Sequence, residues 1–168
     1  IDLSKLIDPV SLRYPARDGV MLQGLFYRPK TTGSSLPPVI FYIHGGPNSQ
    51  SRAGYHAIAQ YYVSRGYAFF SPNVRGSTGL GRVYMELDDQ TKRMDSVSDV
   101  VDGLDFLADT KYVDGSRAVV RGGSYGGFVV NAVLTEYPDR FAAGISMYGV
   151  GDWVTALVNA PTDLKASD

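Results

Sequence analysis

The chain has 168 residues, with 16 Lys and Arg against 17 Asp and Glu, so its formal net charge is −1. That length, with 44% hydrophobic and 20% charged residues, fits one globular domain able to bury a real core. The even charge balance argues against nucleic acid or an anionic membrane as the partner. No apolar run approaches the roughly 18 residues of a membrane span, and zero Cys removes disulfides, thiolate metal sites and thiol nucleophiles.

Only His44 and His56 are present, so a multi-His metal site is not expected, and no cofactor is implied. Neither repeats nor low-complexity tracts occur. Residues 1–9 show weak periodicity and end at Pro9, and read as an arm or linker before a domain over 10–168. Leu12–Tyr14 and Met21–Arg28 read as two strands, joined by Arg17-Asp18-Gly19 with its Asp-Gly hairpin signal. Thr31–Ser35 is polar loop. Val39–Ile43, β-branched and aromatic throughout, suits a strand buried on both faces.

Ala57, Ile58, Tyr61 and Tyr62 fall at helical spacing, and Tyr67–Ser71 reads as a strand closed by Pro72. A Gly-rich loop over Asn73–Arg82 follows. Val97, Val100, Val101, Leu104, Leu107 and Ala108 mark the clearest amphipathic helix, with Ser96 and Asp99 resembling a capping box at its start. Asp114-Gly115 is a turn, Ala118–Val120 a strand, Phe128–Tyr137 a helix and Ala142–Met147 a strand. Strands alternating with helices imply a mostly parallel sheet, here with a leading antiparallel hairpin.

Ligands bind such sheets at the carboxyl ends of the strands. His44–Pro47, Asn73–Gly81 and Gly122–Gly127 all lie at those ends. Gly122-Gly123-Ser124-Tyr125-Gly126 matches G-x-S-x-G, between a strand and a helix as a nucleophile elbow requires. Gly122 and Gly126 would let strand and helix approach, and Ser124 would project its hydroxyl above the sheet. The Tyr125 amide, at the helix start, would point to a developing oxyanion. The alternative is a Gly-rich turn carrying an idle Ser.

His44-Gly45-Gly46-Pro47 lies where this layout draws its second oxyanion donor, and Gly46 is the candidate. His44 reads as structural, hydrogen-bonding loop backbone, because the base follows the nucleophile in this chain order. His56 reads as exposed on the first helix. Asn73–Gly81 fits neither G-x-G-x-x-G nor the Walker pattern, which leaves a nucleotide-binding domain disfavoured. It reads as a structural loop beside His44–Pro47, held by Arg75 through backbone carbonyls. Trp153 either lines an apolar pocket or covers the sheet edge.

Together, His44-Gly45-Gly46-Pro47, Asn73-Val74-Arg75-Gly76-Ser77-Thr78-Gly79, Gly122–Gly127 and Gly149-Val150-Gly151-Asp152-Trp153 resemble the prolyl oligopeptidase family, in its acylaminoacyl-peptidase and dipeptidyl-peptidase-like branch. The resemblance covers nearly the whole chain. It implies an α/β-hydrolase fold with a Ser-Asp-His triad, in which Ser124 is the nucleophile and Gly46 and Tyr125 give the oxyanion amides. Val150 and Trp153 match positions near the specificity pocket. A triad Asp and His are expected beyond residue 168, since no His follows Ser124 and none of Glu136, Asp139, Asp152, Asp163 and Asp168 ends a further strand. The chain thus reads as the N-terminal part of a catalytic domain, truncated before its last strands.

Three readings follow from this. One is a serine peptidase acting on short or acylated peptides, another a carboxylesterase with the same site. The third is a catalytically silent fragment that self-associates through the exposed strand 142–147.

Overall fold

The computed structural model describes residues 3–30, 35–89 and 92–159. Residues 1–2 of the arm, Thr31–Ser34 of the polar loop, and Asp163 and Asp168 lie outside them. Six strands form one sheet in the order β1-β2-β4-β3-β5-β6. They are β1 (Val10–Pro15), β2 (Met21–Tyr27), β3 (Val39–Ile43), β4 (Ala68–Asn73), β5 (Ala118–Gly123) and β6 (Ala143–Met147). The β1–β2 and β2–β4 pairs are antiparallel, and β4, β3, β5 and β6 run parallel. The helices are α1 (Ala57–Val63), α2 (Arg82–Met85), α3 (Arg93–Asp109), α4 (Tyr125–Glu136) and α5 (Trp153–Asn159).

Side chains alternate across the sheet with the two-residue period of a strand. Phe41, Ile43, Phe70 and Val120 face the cluster built with α3 and α4, and Ile40 and Phe69 face the smaller cluster built with α1. Helices therefore cover both faces of a mixed sheet. The β1–β2 connection is a tight turn closed by Ala16 N–H to Val20 O at 2.8 Å, with Gly19 at φ +87°. That positive φ is what the Asp18-Gly19 pair supplies.

Several local expectations change. Ala59 and Val63 are the buried residues of α1, Ile58 and Tyr62 pack part-buried against the same cluster, and Ala57 and Tyr61 are exposed. Strand β4 runs through Pro72 to Asn73. Its pairing with β3 ends at Phe70, while β2 alone continues to Asn73, so the proline sits where only one neighbouring strand remains. Ser96 and Asp99 are not a capping box. Helix α3 begins three residues before Ser96, and both side chains are buried in tertiary hydrogen bonds. Helices α2 and α5 are additional elements. The arm residue Ile7 docks on α1, exchanging two hydrogen bonds with the Gln60 side chain.

Chain order places the site. From β3 the chain moves to β4 on one side, then returns to β5 on the other. The loops leaving β3 and β5 therefore diverge above adjacent strand ends, the switch point at which open α/β sheets bind ligands.

Candidate active site

Ser124 is the single residue between β5 and α4, and it adopts φ 55° and ψ −122°. A non-Gly residue there is strained and must be held by its surroundings. Glycines make the turn possible. A Cβ on Gly122 would lie 2.3 Å from the Gly126 carbonyl oxygen, and one on Gly126 would lie 2.2 Å from that of Ile43. The elbow is pinned by Ser124 N–H donating to Met147 O at 3.1 Å and Phe128 N–H donating to Ser124 O at 3.1 Å. Tyr125 is the first residue of α4, a twelve-residue helix whose opening amides have no partner within the helix.

The loop after β3 lies against this elbow. A Cβ on Gly45 would sit 3.5 Å from Ser124 Cβ. Gly46 has φ +128°, and a Cβ there would collide with Asn48 N at 2.6 Å. Gly45, next to Gly46 in the chain, is thus brought against Ser124, next to Tyr125, from a segment about eighty positions away.

His44 is 7% exposed. Its Nδ1 lies 2.8 Å from Gly45 O and its Nε2 lies 2.9 Å from Ser77 Oγ. Burial lowers its pKa, which favours the neutral ring at neutral pH. Both nitrogens are committed to loop contacts, as a structural His requires. His56 is not simply exposed. It caps α1, accepting from Ala59 N–H at 3.1 Å, and packs on Tyr42 and Phe69.

Arg75 holds its loop through carboxylates rather than backbone carbonyls. Its guanidinium donates to Asp99 at 2.7–3.1 Å and to Asp18 at 2.7 and 3.2 Å, and its amide donates to Asp99 at 2.9 Å. Asp95 stands 3.5 Å away. Burial raises the Asp99 pKa while Arg75 opposes it; hydrogen bonds to Asp18 lower the pKa of that more exposed carboxyl. A planar five-donor guanidinium is the group that can bridge two carboxylates in this way.

The Tyr125 side chain is buried and anchored. Its hydroxyl lies 2.7 Å from Ser96 Oγ and 3.2 Å from Asp88 Oδ2. Val150 is half-buried in the segment between β6 and α5. Trp153 opens α5, packs edge-on against Phe128 at 5.3 Å, and lies under the Arg93 guanidinium. Asp88, Asp99 and Asp18 carried no local signal of these roles, because their partners lie 37, 24 and 57 positions away. Among the described residues no group of three or more His, Asp or Glu is placed to hold a metal ion.

The chain and its fold are similar to known proteins. The model of the prolyl oligopeptidase family matches residues 53–164. An uncharacterized peptidase YuxL of Bacillus subtilis (strain 168) is 32% identical over 151 residues, covering 88% of this chain and 22% of that protein. Dipeptidyl aminopeptidase BIII of Pseudoxanthomonas mexicana is 32% identical over 124 residues, covering 74% and 18%. Among solved structures, a puromycin hydrolase superposes with a TM-score of 0.92 at 29% identity, over 99% of this chain and 26% of that one. An acylaminoacyl peptidase in complex with Z-Gly-Gly-Phe-chloromethyl ketone superposes with a TM-score of 0.85 at 28% identity, over 95% and 26%. The chain thus spans about a quarter or less of the length of these relatives. Its fold is that of their α/β-hydrolase domains, and the chain belongs to the prolyl oligopeptidase family.

Proposed function

We propose that this chain carries the nucleophile and oxyanion site of a serine peptidase acting on short or N-terminally blocked peptides. The observation that carries the reading is the strained Ser124 at the head of α4 with the Gly45–Gly46 loop against it. Ser124 Oγ attacks the scissile carbonyl carbon while a base takes the hydroxyl proton. The carbonyl oxygen becomes an oxyanion, held by the amides of Gly46 and Tyr125. Collapse breaks the C–N bond, the amine leaves with the proton, and water releases the acyl group. Val150 and Trp153 contact the substrate side chain. The names of the relatives, dipeptidyl aminopeptidases and acylamino-acid-releasing enzymes among them, support substrates with short or acylated amino termini.

The base and its carboxylate partner are expected from residues after Asp168. His44 has both nitrogens engaged, and His56 sits on the α1 face. These contacts favour a second reading for the 168 residues alone, that of a folded scaffold with an unactivated Ser124.

A fluorophosphonate probe read by intact mass tests both. The complete polypeptide that carries these residues is expected to label once, and Ser124→Ala to abolish the label. The isolated 168-residue chain is expected to stay unlabelled while folded. Labelling of the complete polypeptide at another residue would overturn the assignment of Ser124.

A further inference from the structure

Residues 74–77 are irregular in conformation yet wholly buried, and none of them belongs to the proposed chemistry. Buried loop backbone and hydroxyl groups must find partners. Ser77, with 0% exposure, finds two. Its Oγ lies 2.6 Å from Val74 O, to which it donates, and 2.9 Å from His44 Nε2.

Partner chemistry assigns the protons on His44. Gly45 O can only accept, so Nδ1 carries the hydrogen of the neutral ring. Nε2 then carries a lone pair that faces the Ser77 Oγ, whose single proton is within reach of both Nε2 and Val74 O. The carbonyl that His44 grips is one end of a planar unit whose other end is the Gly46 N–H. Fixing the direction of Gly45 C=O fixes the direction of Gly46 N–H.

We propose that Ser77 is a positioning residue for the oxyanion site, acting through His44 on the Gly45–Gly46 peptide plane. This rests on the serine peptidase reading above. Ser77 can do so because its own loop is clamped. Arg75 is tied to Asp99 on α3 and to Asp18 in the β1–β2 turn. Gly76, at φ +89°, lies directly over the Asp88 carboxylate, leaving no room for a Cβ, and Thr78 N–H donates to Ser49 O at 2.9 Å. The hairpin turn and α3 thus brace one hydroxyl against the ring that aims the amide.

The test uses the complete polypeptide with Ser77→Ala, His44→Asn, the double variant and Ser124→Ala. His44→Asn keeps a donor near Gly45 O but cannot reach Ser77. Loss of one oxyanion donor costs about 10²–10³ in kcat, so misaiming one is expected to cost about tenfold with KM nearly unchanged. Affinity for a peptide aldehyde, whose adduct presents the oxyanion, should fall by the same factor. The double variant should lose no more than either single variant, because both break one chain of contacts. Unchanged kcat and aldehyde affinity in Ser77→Ala, or losses that multiply in the double variant, would overturn the proposal. If Ser77→Ala does not fold, His44→Asn decides, and full activity there overturns it. Activity that survives Ser124→Ala would instead reject the underlying peptidase reading.

Discussion

Gly126 packs so tightly over the end of β3 that its missing Cβ would fall 2.2 Å from the Ile43 carbonyl oxygen. The nucleophile turn and the oxyanion loop are therefore one packed unit, since the loop begins at the next residue, His44. Gly126→Ala is expected to destabilise the fold by about 2 kcal/mol or more, because the contact is backbone and cannot move aside. Gly151→Ala, where a Cβ meets nothing within 4 Å, is the matched control. Urea unfolding midpoints compare the two, and equal midpoints would refute the packing argument.

Arg75 and Asp99 are 3% and 0% exposed. Arg75→Met leaves a buried carboxylate without its counter-ion, which typically costs about 3–5 kcal/mol. Combining it with Asp99→Leu should recover much of that loss, since the uncompensated charge goes too. Asp18, nearly half exposed, should matter less; Asp18→Asn is expected within about 1 kcal/mol of the parent chain. A double-mutant cycle in denaturant checks all three.

Acid sensitivity should begin with histidine. Burial lowers the pKa of His44 and of His56 below the ordinary 6.5. As pH falls through 6.5 the unfolded chain takes up protons that the folded chain refuses, so stability falls with pH there. His44→Asn should flatten part of that slope. The lowered carboxyl of Asp18 acts in a separate window, its contribution being lost only as pH drops below its ordinary value of 3.8. Thermal unfolding between about pH 7.5 and about pH 5, which brackets the imidazole range, resolves the histidine component.

The two sheet edges differ in a way that bears on association. Strand β1 carries Arg13 and Pro15, devices that block pairing. Strand β6 reads Ala-Gly-Ile-Ser-Met, with neither charge nor proline, and among the described residues nothing pairs its outer side. Ile145 is 43% exposed and shares an open concavity with Ile58, Tyr61, Tyr62 and Arg121. The isolated 168-residue chain is expected to self-associate through β6, and Ile145→Lys to reduce this. Sedimentation velocity over a concentration series tests it, and a monomer at every concentration would reject the edge as an interface.

What the sequence determined by itself was local. The run Val39–Ile43 suited a doubly buried strand, and the glycines around Ser124 suited a turn too tight for side chains. Helical spacing from Val97 to Leu107 marked the long helix, because a buried stripe leaves a period that needs no partner to be read. At α1 the spacing found the helix, although Ala59 and Val63 rather than Ala57 and Tyr61 are its buried residues, and at Ser96 and Asp99 the spacing imitated a cap. Tertiary structure alone decided what the polar residues do. Arg75 meets Asp99 and Asp18, Tyr125 meets Ser96 and Asp88, and His44 meets Ser77 across 24 to 57 positions of chain. Apolar burial is nondirectional and leaves a pattern in one segment, whereas a buried hydrogen bond depends on two distant atoms meeting within about 3 Å. That meeting is a property of the assembled sheet, which brings the ends of β3, β4 and β5 side by side.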